Sequence, residues 1–405
     1  MGIVDLVAKR RLPKAIWALG FVSLLMDVSS EMIHALLPAF LVGPLGASVF
    51  AVGLIEGVAE STALVVKLFS GTLSDRIGHR KWIAVAGYGL GALSKPLFPL
   101  AGSAALVFAA RFVDRVGKGI RGAPRDALVA DLAPPALLGA AFGLRQALDT
   151  VGAFAGPLIA IAIMAASGGD FRLVFWIAVV PAMLAVAVLA IAVEEPPASV
   201  APIKRAGFVP RLSDVKGLGL PFWRLATVGV FLNLARFSEA FLLLRVQGLG
   251  LSLALLPFVL VLMNLVYGLV AYPLGALSDR KNAKLLLASG FGILAIADAI
   301  LGSATGLPAA FVGIAVWGLH MGMTQGLLAS LIGKTAPPDR RGTAFGVFNL
   351  VGGASLLVGS AFAGLLWDVM GPGASFLAGA SFATIGLVIL MTVVPRAEAD
   401  QIDIA

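Results

Sequence analysis

Three titratable residues lie inside one apolar stretch near the start of this chain. Asp27, Glu31 and His34 fall within a run of apolar residues from about 15 to 41, at spacings i, i+4 and i+7. On a helix this spacing places them on one face. Two carboxylates and an imidazole on one face can bind protons or a transition metal. Because an ionisable group in an apolar span is costly unless it is hydrated or paired, each is a functional candidate.

Composition accounts for the apolar surroundings of these residues. The 405 residues are 59% hydrophobic and 13% charged, with a mean hydropathy of +0.99. An average soluble domain is about 25% charged, so this chain lacks the polar material to cover a water-exposed surface. The sequence therefore predicts an integral membrane protein. There is no cysteine for a disulfide, and the net charge of +8 is interpreted as basic cytoplasmic loops rather than a nucleic-acid surface.

Twelve apolar segments are long enough to cross a bilayer. Their predicted bounds are 15–41, 48–70, 82–101, 104–130, 139–166, 172–193, 221–249, 252–275, 283–303, 307–333, 342–370 and 372–394. A stretch rich in Pro, Gly and charge at 194–219 separates the first six from the last six. We therefore predict an all-α membrane protein with two six-helix bundles, 1–193 and 220–405, joined by a cytoplasmic linker.

Loop motifs recur between the two halves. Gly71-Thr-Leu-Ser-Asp-Arg76 returns as Gly275-Ala-Leu-Ser-Asp-Arg280, and Ala141-Phe-Gly143 returns as Ala344-Phe-Gly346 at nearly the same offset. This common register indicates an internal duplication, so the bundles are expected to be pseudo-symmetric. Lys and Arg concentrate in alternate loops, including the linker. The positive-inside rule therefore predicts that both termini and the linker are cytoplasmic.

Several of these motifs resemble those of the major facilitator superfamily. The segment 71–81 is similar to its loop signature G-x-L-x-D-R-x-G-R-[RK], with His79 in place of a basic residue. Arg115-Val-Gly-Lys-Gly119 in span four resembles R-x-x-Q-G, with Lys118 in place of Gln. Gly152-Ala-Phe-Ala-Gly-Pro157 in span five resembles the G-x-x-x-G-P motif of proton-exchanging exporters, without the Gly pair that follows it. The resemblance implies that family's fold, alternating access, and a monomer in the bacterial inner membrane.

The resemblance also implies that spans one, four, seven and ten line a central cavity. From it, and from intramembrane charge or polarity, the candidate proton-coupling and substrate residues are Asp27, Glu31, His34, Glu56, Glu60, Arg115, Arg145, Arg236, Glu239, Asn264, His320 and Gln325. We expect Glu31 to be the main proton-binding carboxylate and Asp27 the second. A conformational latch is expected at Gly71, Asp75, Arg76, Arg80, Asp126, Asp279 and Arg280, and a helix-packing exporter motif at Gly152, Gly156 and Pro157.

Structural interpretations stay open for some of these charges. Asp27 could simply neutralise Lys95 or Arg145, and Asp149 could pair with Arg145. Glu56 and Glu60 could belong to a solvated rim at one end of span two. The residues interpreted as helix-end or structural charges are Asp126, Asp298 and Asp368.

Three classes of function follow. The first is a secondary transporter that exports a small organic molecule in exchange for protons, with no cofactor and with substrate and lipid as its only partners. The second is an exporter of divalent metal ions or chelates, whose ligands would be Asp27, Glu31, His34 and His320. The third is a membrane enzyme or receptor. No nucleophile set, metalloprotease helix or phosphate-binding loop stands out, so we predict that the protein is not an enzyme.

Overall fold

The computed structural model describes residues 12–77, 79–194, 215, 217–278, 283–337 and 340–394, and the regular structure of these residues is helical. Spans one to six are Lys14–His34 with Leu37–Val42, Val49–Ile77, Arg80–Ser94 with the short turn Lys95–Leu97, Ala104–Leu132, Leu138–Ala166 and Phe171–Ala192. Spans seven to twelve are Gly219–Ala235 with Ala240–Gly248, Phe258–Ser278, Ala283–Ser303, Leu307–Thr335, Arg341–Met370 and Pro372–Val393.

Ten of these helical segments are long and apolar enough to cross a membrane. The other two predicted spans also form helices, but length and composition alone do not mark them as spanning. The helix of span three has 15 residues before it tightens at Lys95, and span four carries a series of charged residues from Arg111 onward. The all-α membrane fold is therefore confirmed. Span four does not meet the criterion for a membrane span because charged residues lie inside it.

The first helix of each half is interrupted at an equivalent place. Span one stops at His34 and resumes at Leu37, while span seven stops at Ala235 and resumes at Ala240. Pro38 lies in the first turn of the resumed helix of span one, where a missing N–H costs nothing. Breaks at matching positions agree with the internal duplication, and they leave backbone carbonyls without helical partners.

The described residues form two compact units. One contains the residues up to His34 and those from Val66 through span six. The other contains Ala35–Val65 together with spans seven to twelve. The second half of span one and the first half of span two thus belong, by their packing, with the helices of the later half of the chain.

In the first unit, spans three and four cross each other at glycine residues. A Cβ on Gly87 would lie 2.6 Å from the backbone nitrogen of Arg121, and a Cβ on Gly117 would lie 2.7 Å from the carbonyl oxygen of Gly87. The apolar core of this unit includes Leu19, Tyr88 and other fully buried side chains of spans one, three, four and six. Without side chains at the crossing, the backbones of the two helices come into direct contact.

In the second unit, spans two and eleven cross in the same way. A Cβ on Gly53 would lie 2.3 Å from the carbonyl oxygen of Ser360. Ser61 Oγ donates a hydrogen bond of 2.6 Å to the carbonyl of Gly353. Asp368 accepts hydrogen bonds from the backbone nitrogens of Val49 at 3.1 Å and Phe50 at 2.8 Å. This carboxylate therefore caps the start of span two, as its interpretation as a helix-end charge predicted.

We predict that Gly53→Ala destabilises the protein by about 1–3 kcal/mol, because its methyl group has to displace the backbone of span eleven. Gly268→Ala in span eight is the matched control, since a Cβ there meets nothing within 4 Å. Alanine also has a higher helix propensity than glycine. Thermal unfolding in detergent should show a lower midpoint for Gly53→Ala and an equal or higher one for Gly268→Ala. Equal midpoints for the two variants would contradict the packing.

Candidate functional site

Span one lies against span five through two glycines of the span-five motif. A Cβ on Gly152 would lie 2.5 Å from the carbonyl oxygen of Leu24 and 3.1 Å from Asp27 Cβ. A Cβ on Gly156 would lie 2.9 Å from Glu31 Cβ. The glycines at spacing i, i+4 thus face the two carboxylates at the same spacing. Any larger residue would hold Asp27 and Glu31 away from span five.

Asp27 meets a second carboxyl across this interface. Its side chain lies within hydrogen-bonding reach of Asp149, which precedes Gly152 by about one turn of span five. Asp149 in turn lies 3.7 Å from Arg145 Nη1 and 3.9 Å from Arg125 Nη1. Two carboxyl groups at this separation can share a proton, because ionising both brings like charges together.

The two arginines connect this carboxyl pair to Asp126. Asp126 Oδ1 lies 3.1 Å from Arg125 Nη2 and 3.9 Å from Arg145 Nη1. Arg125 also donates a hydrogen bond of 3.2 Å to Ser23 Oγ on span one. The predicted pairing of Asp149 with Arg145 is confirmed, but Asp149 contacts both arginines and Asp27. Charges from spans one, four and five therefore form one network.

Glu31 points to a different partner from Asp27. Glu31 Oε2 lies 3.5 Å from Nδ1 of His34, which is one turn further along span one. The nearest cations to Glu31 include Lys118 and Arg115 of span four. The face predicted for Asp27, Glu31 and His34 is therefore divided: Glu31 and His34 form a pair, and Asp27 turns toward span five.

A fully buried ion cluster lies beside this network in the first unit. Lys95 Nζ donates hydrogen bonds of 2.8 Å to Asp114 Oδ1 and 3.1 Å to Ser30 Oγ. Arg115 Nε lies 3.6 Å from Asp114 Oδ2, and Arg111 Nη1 lies 4.0 Å from it. The partner of Lys95 is therefore Asp114, and the interpretation that Asp27 neutralises Lys95 is wrong. Removing Asp114 would leave buried cations uncompensated, which is strongly destabilising.

The polar groups of the second unit gather at the break in span seven. The charged or phenolic groups nearest to Arg236 are Glu239, Glu60 and Tyr267. His320 lies edge-on to Trp317 with ring centroids 4.7 Å apart. Both ring nitrogens of His320 are buried. This unit thus brings together Glu60, Arg236 and Glu239 as predicted candidates.

The other predicted residues of the second unit are Glu56, Asn264 and Gln325. Glu56 is 1% exposed, so its placement on a solvated rim is wrong. Asn264 and Gln325 are half-buried in spans eight and ten. They stay candidates by position only.

Some of the residues predicted to form a conformational latch have described contacts in the first unit. Gly71 lies close to span four, where its added Cβ would meet Ala123 Cβ at 3.4 Å. Arg80 forms an ion pair with Asp131 at the end of span four. Asp126 belongs to the arginine network of spans four and five described above. Asp279 and Arg280 lie outside the described residues, as do the side chains of Asp75 and Arg76.

The ligand set expected for a metal does not assemble in the described parts of the chain. No group of three or more His, Asp or Glu residues arranged to hold a metal ion is found there. Asp27 faces Asp149, whereas His34 pairs with Glu31.

Comparisons with known proteins agree on one family. The sequence model of the Major Facilitator Superfamily matches residues 19–360 and 246–403. An uncharacterized MFS-type transporter of Methanocaldococcus jannaschii is 31% identical, with 94% of this chain and 95% of that protein covered. The inner membrane transport protein YajR of Escherichia coli is 25% identical, covering 94% and 83%. The crystal structure of the nucleoside transporter NupG has a TM-score of 0.80 at 12% identity, covering 94% and 100%.

We predict that Gly152→Ala weakens the contact between spans one and five. The methyl group would lie 2.5 Å from the carbonyl oxygen of Leu24, so the helices must separate by a few tenths of an ångström or more. Overpacking of this kind costs about 1–3 kcal/mol. The matched control is Gly143→Ala on the same helix, where a Cβ meets nothing within 4 Å. A thermal midpoint that falls only for Gly152→Ala is expected, whereas unchanged midpoints in both variants would contradict the contact.

Proposed function

Because this chain belongs to the major facilitator superfamily and is a membrane transporter of that type, we propose that it exports a small organic molecule in exchange for protons by alternating access. The observation that supports proton coupling is the Asp27–Asp149 carboxyl pair, packed against Gly152 inside a membrane-spanning bundle. The coupling ion in this proposal is H⁺, and no cofactor takes part.

The two carboxyl groups have different surroundings, and this assigns their roles. Asp149 lies near the guanidinium groups of Arg125 and Arg145, which favour its ionised form. Among the residues that the structure describes, none forms an ion pair of this kind with Asp27, so we place the shared proton mainly on Asp27. We therefore assign Asp27 as the first proton-binding residue and Glu31, beside His34, as the second. This order reverses the expectation from the sequence.

Loss of the shared proton supplies the driving force for a conformational change. With both groups ionised, like charges face each other across the contact between spans one and five. The arginines can then respond, because Arg125 and Arg145 also interact with Asp126 and can shift toward the new charge. The protonation state of Asp27 thus shifts the equilibrium between two arrangements of the same helices, and proton-coupled transport requires such a shift.

The domain division proposed for the cycle follows the sequence duplication, with 1–193 and 220–405 as the moving halves and a single chain as the working unit. In that cycle the glycine crossing of spans two and eleven opens in one state and closes in the other. Export, rather than uptake, is supported only by the resemblance of Gly152–Pro157 to an exporter motif. Location in a bacterial inner membrane is proposed from the similarity to YajR.

We predict that Asp27→Asn abolishes transport driven by a pH gradient while the variant still folds and binds ligand. Asparagine cannot release a proton, but it keeps the size of Asp27 and can hydrogen-bond to Asp149. A thermal-shift screen supplies the ligand, and flux of that ligand into proteoliposomes is measured with and without the gradient. Glu31→Gln, which leaves the carboxyl pair intact, should retain part of the gradient-driven flux. Wild-type gradient-driven flux in Asp27→Asn would contradict the proposal.

The proposed orientation gives a separate prediction. The chain contains no cysteine, so each single-cysteine variant carries one thiol. Ser303→Cys, at the end of span nine, should react with a membrane-impermeant maleimide on intact cells. Glu194→Cys, just after span six, should react only once the membrane is permeabilised, because the linker is proposed to be cytoplasmic. The reverse labelling pattern would overturn the orientation and leave the proton chemistry untouched.

A further inference from the structure

Asp298 is a buried carboxyl group that the proposed mechanism does not use. It lies in span nine, 0% exposed, and more than one helical turn before the end of that helix at Ser303. Neither carboxyl oxygen has a hydrogen-bond partner among the described residues. Asp298 therefore lies inside span nine rather than at its end. An ionised carboxylate held without partners in an apolar interior costs several kcal/mol, so this group is favoured as the neutral acid.

The cations on the surrounding helices have other partners or lie far away. Arg245 donates to the carbonyls of Leu301 and Ala304, and Lys284 donates to those of Met391 and Val394. Span twelve carries no charged residue between Pro372 and Val393. The other titratable groups on the helices that pack here are Arg224 and Arg236 of span seven, and His320 and Lys334 of span ten.

None of those four groups neutralises Asp298. Arg236 interacts with Glu239 and Glu60. Arg224 lies 11 residues before the break in span seven, about 16 Å along the helix. Lys334 lies in the last turn of span ten, and His320 packs edge-on to Trp317. Glu239, the carboxylate at the break in span seven, lies near Arg236.

A neutral carboxyl group is a hydrogen-bond donor, and one acceptor lies beside it. Ala235 is the last residue of the first helix of span seven, and no N–H group of the described chain donates to its carbonyl oxygen. Ala235 is 1% exposed, so this carbonyl is also hidden from water. A buried carbonyl without a partner has a free-energy cost that a nearby donor can remove.

Gly379 of span twelve leaves open the space that both groups share. A Cβ on Gly379 would lie 2.6 Å from Asp298 Oδ2, 3.2 Å from the carbonyl oxygen of Ala235 and 3.0 Å from the ring of Phe237. Phe237 also packs against Phe376 with ring centroids 5.5 Å apart. The aromatic rings keep the gap apolar, and Asp298 Oδ2 and the carbonyl oxygen of Ala235 border the same space.

We propose that Asp298 is a second proton-binding site, which holds its proton at neutral pH and donates it in a hydrogen bond to the carbonyl of Ala235 at the break in span seven. Loss of this proton places a negative charge at the C-terminal, negative end of the helix Gly219–Ala235. The carboxylate then repels the carbonyl that it previously bound. Proton occupancy therefore stabilises the break that positions Arg236 and Glu239. The proposal does not depend on the carboxyl pair in the first unit.

Infrared difference spectroscopy on the full-length protein tests the protonation state directly. At neutral pH the wild type should show the carbonyl-stretch band of a protonated carboxylic acid, and this band should be absent in Asp298→Asn. The Asp27→Asn variant is the matched control, since it removes any band from the first unit and leaves that of Asp298. A spectrum of Asp298→Asn identical to the wild type in this region would overturn the proposal.

Stability at alkaline pH gives a second, independent readout. Aspartate in the unfolded chain is ionised above about pH 4, so folding that requires the neutral acid weakens as pH rises. Relative to Asp298→Asn, the unfolding constant of the wild type should increase about tenfold per pH unit until Asp298 ionises in the folded protein. Parallel pH profiles for the two proteins would contradict a bound proton.

If Asp298→Asn fails to fold, Gly379→Ala carries the test. Its methyl group would crowd the carboxyl group and separate it from Ala235, so the band of Asp298 should move to the frequency of a less strongly hydrogen-bonded acid. Gly292→Ala in span nine, where a Cβ meets nothing within 4 Å, should leave the band unchanged. An unshifted band in Gly379→Ala would exclude the hydrogen bond to Ala235.

Discussion

The direct contact of spans one and five is the constraint on which the first unit depends. Gly152 and Gly156 remove the side chains that would keep the helices apart, and Asp27 and Glu31 lie opposite them. Close backbone approach in a membrane is stabilised by packing rather than by burial of apolar surface, because lipid is as apolar as the helices. The same contact brings Asp27 to Asp149, so the packing motif and the proposed proton-binding pair are one feature.

Buried charges elsewhere in the first unit are also close to partners. The buried cations Lys95, Arg111 and Arg115 surround Asp114, and Arg121 lies over the ring of Tyr88 at 4.8 Å. Each ionised group in such a position needs a partner or water. Asp298 meets neither condition among the described residues, and this is why the neutral acid is the consistent interpretation for it. Asp114 is therefore surrounded by cations in the first unit, whereas Asp298 is proposed to be neutral in the second.

The sequence predicted the helices well because a bilayer imposes a length on each span. The bounds of span nine were predicted without error, and those of most others to within two or three residues. The glycine motif of span five correctly indicated close packing, since small residues at spacing i, i+4 have few other uses in a membrane. Asp368 was interpreted as a helix-end or structural charge, and it lies in the last turn of span eleven and caps span two.

The partners of the charges could not be predicted in the same way. Pairing between helices depends on their rotation and offset, which spacing along one helix does not contain. Asp27 therefore appeared to share a site with His34, although it faces Asp149. The sequence did carry a signal for the Lys95–Asp114 pair. Lys95 is the one cation in an apolar run, and Asp114 is an acid among the basic residues of span four. The break in span seven could not be predicted, because the residues from Arg236 to Glu239 include no proline or glycine.

The shared proton of Asp27 and Asp149 is the central claim, and a proton count on the purified protein tests it most directly. Proton release on a pH jump is measured for the wild type, Asp27→Asn, Asp149→Asn and the double variant. If the pair holds one proton, carried mainly by Asp27, then Asp27→Asn loses that proton, Asp149→Asn keeps it, and the double variant loses no more than Asp27→Asn. Two separate protons, lost additively in the double variant, would contradict the account.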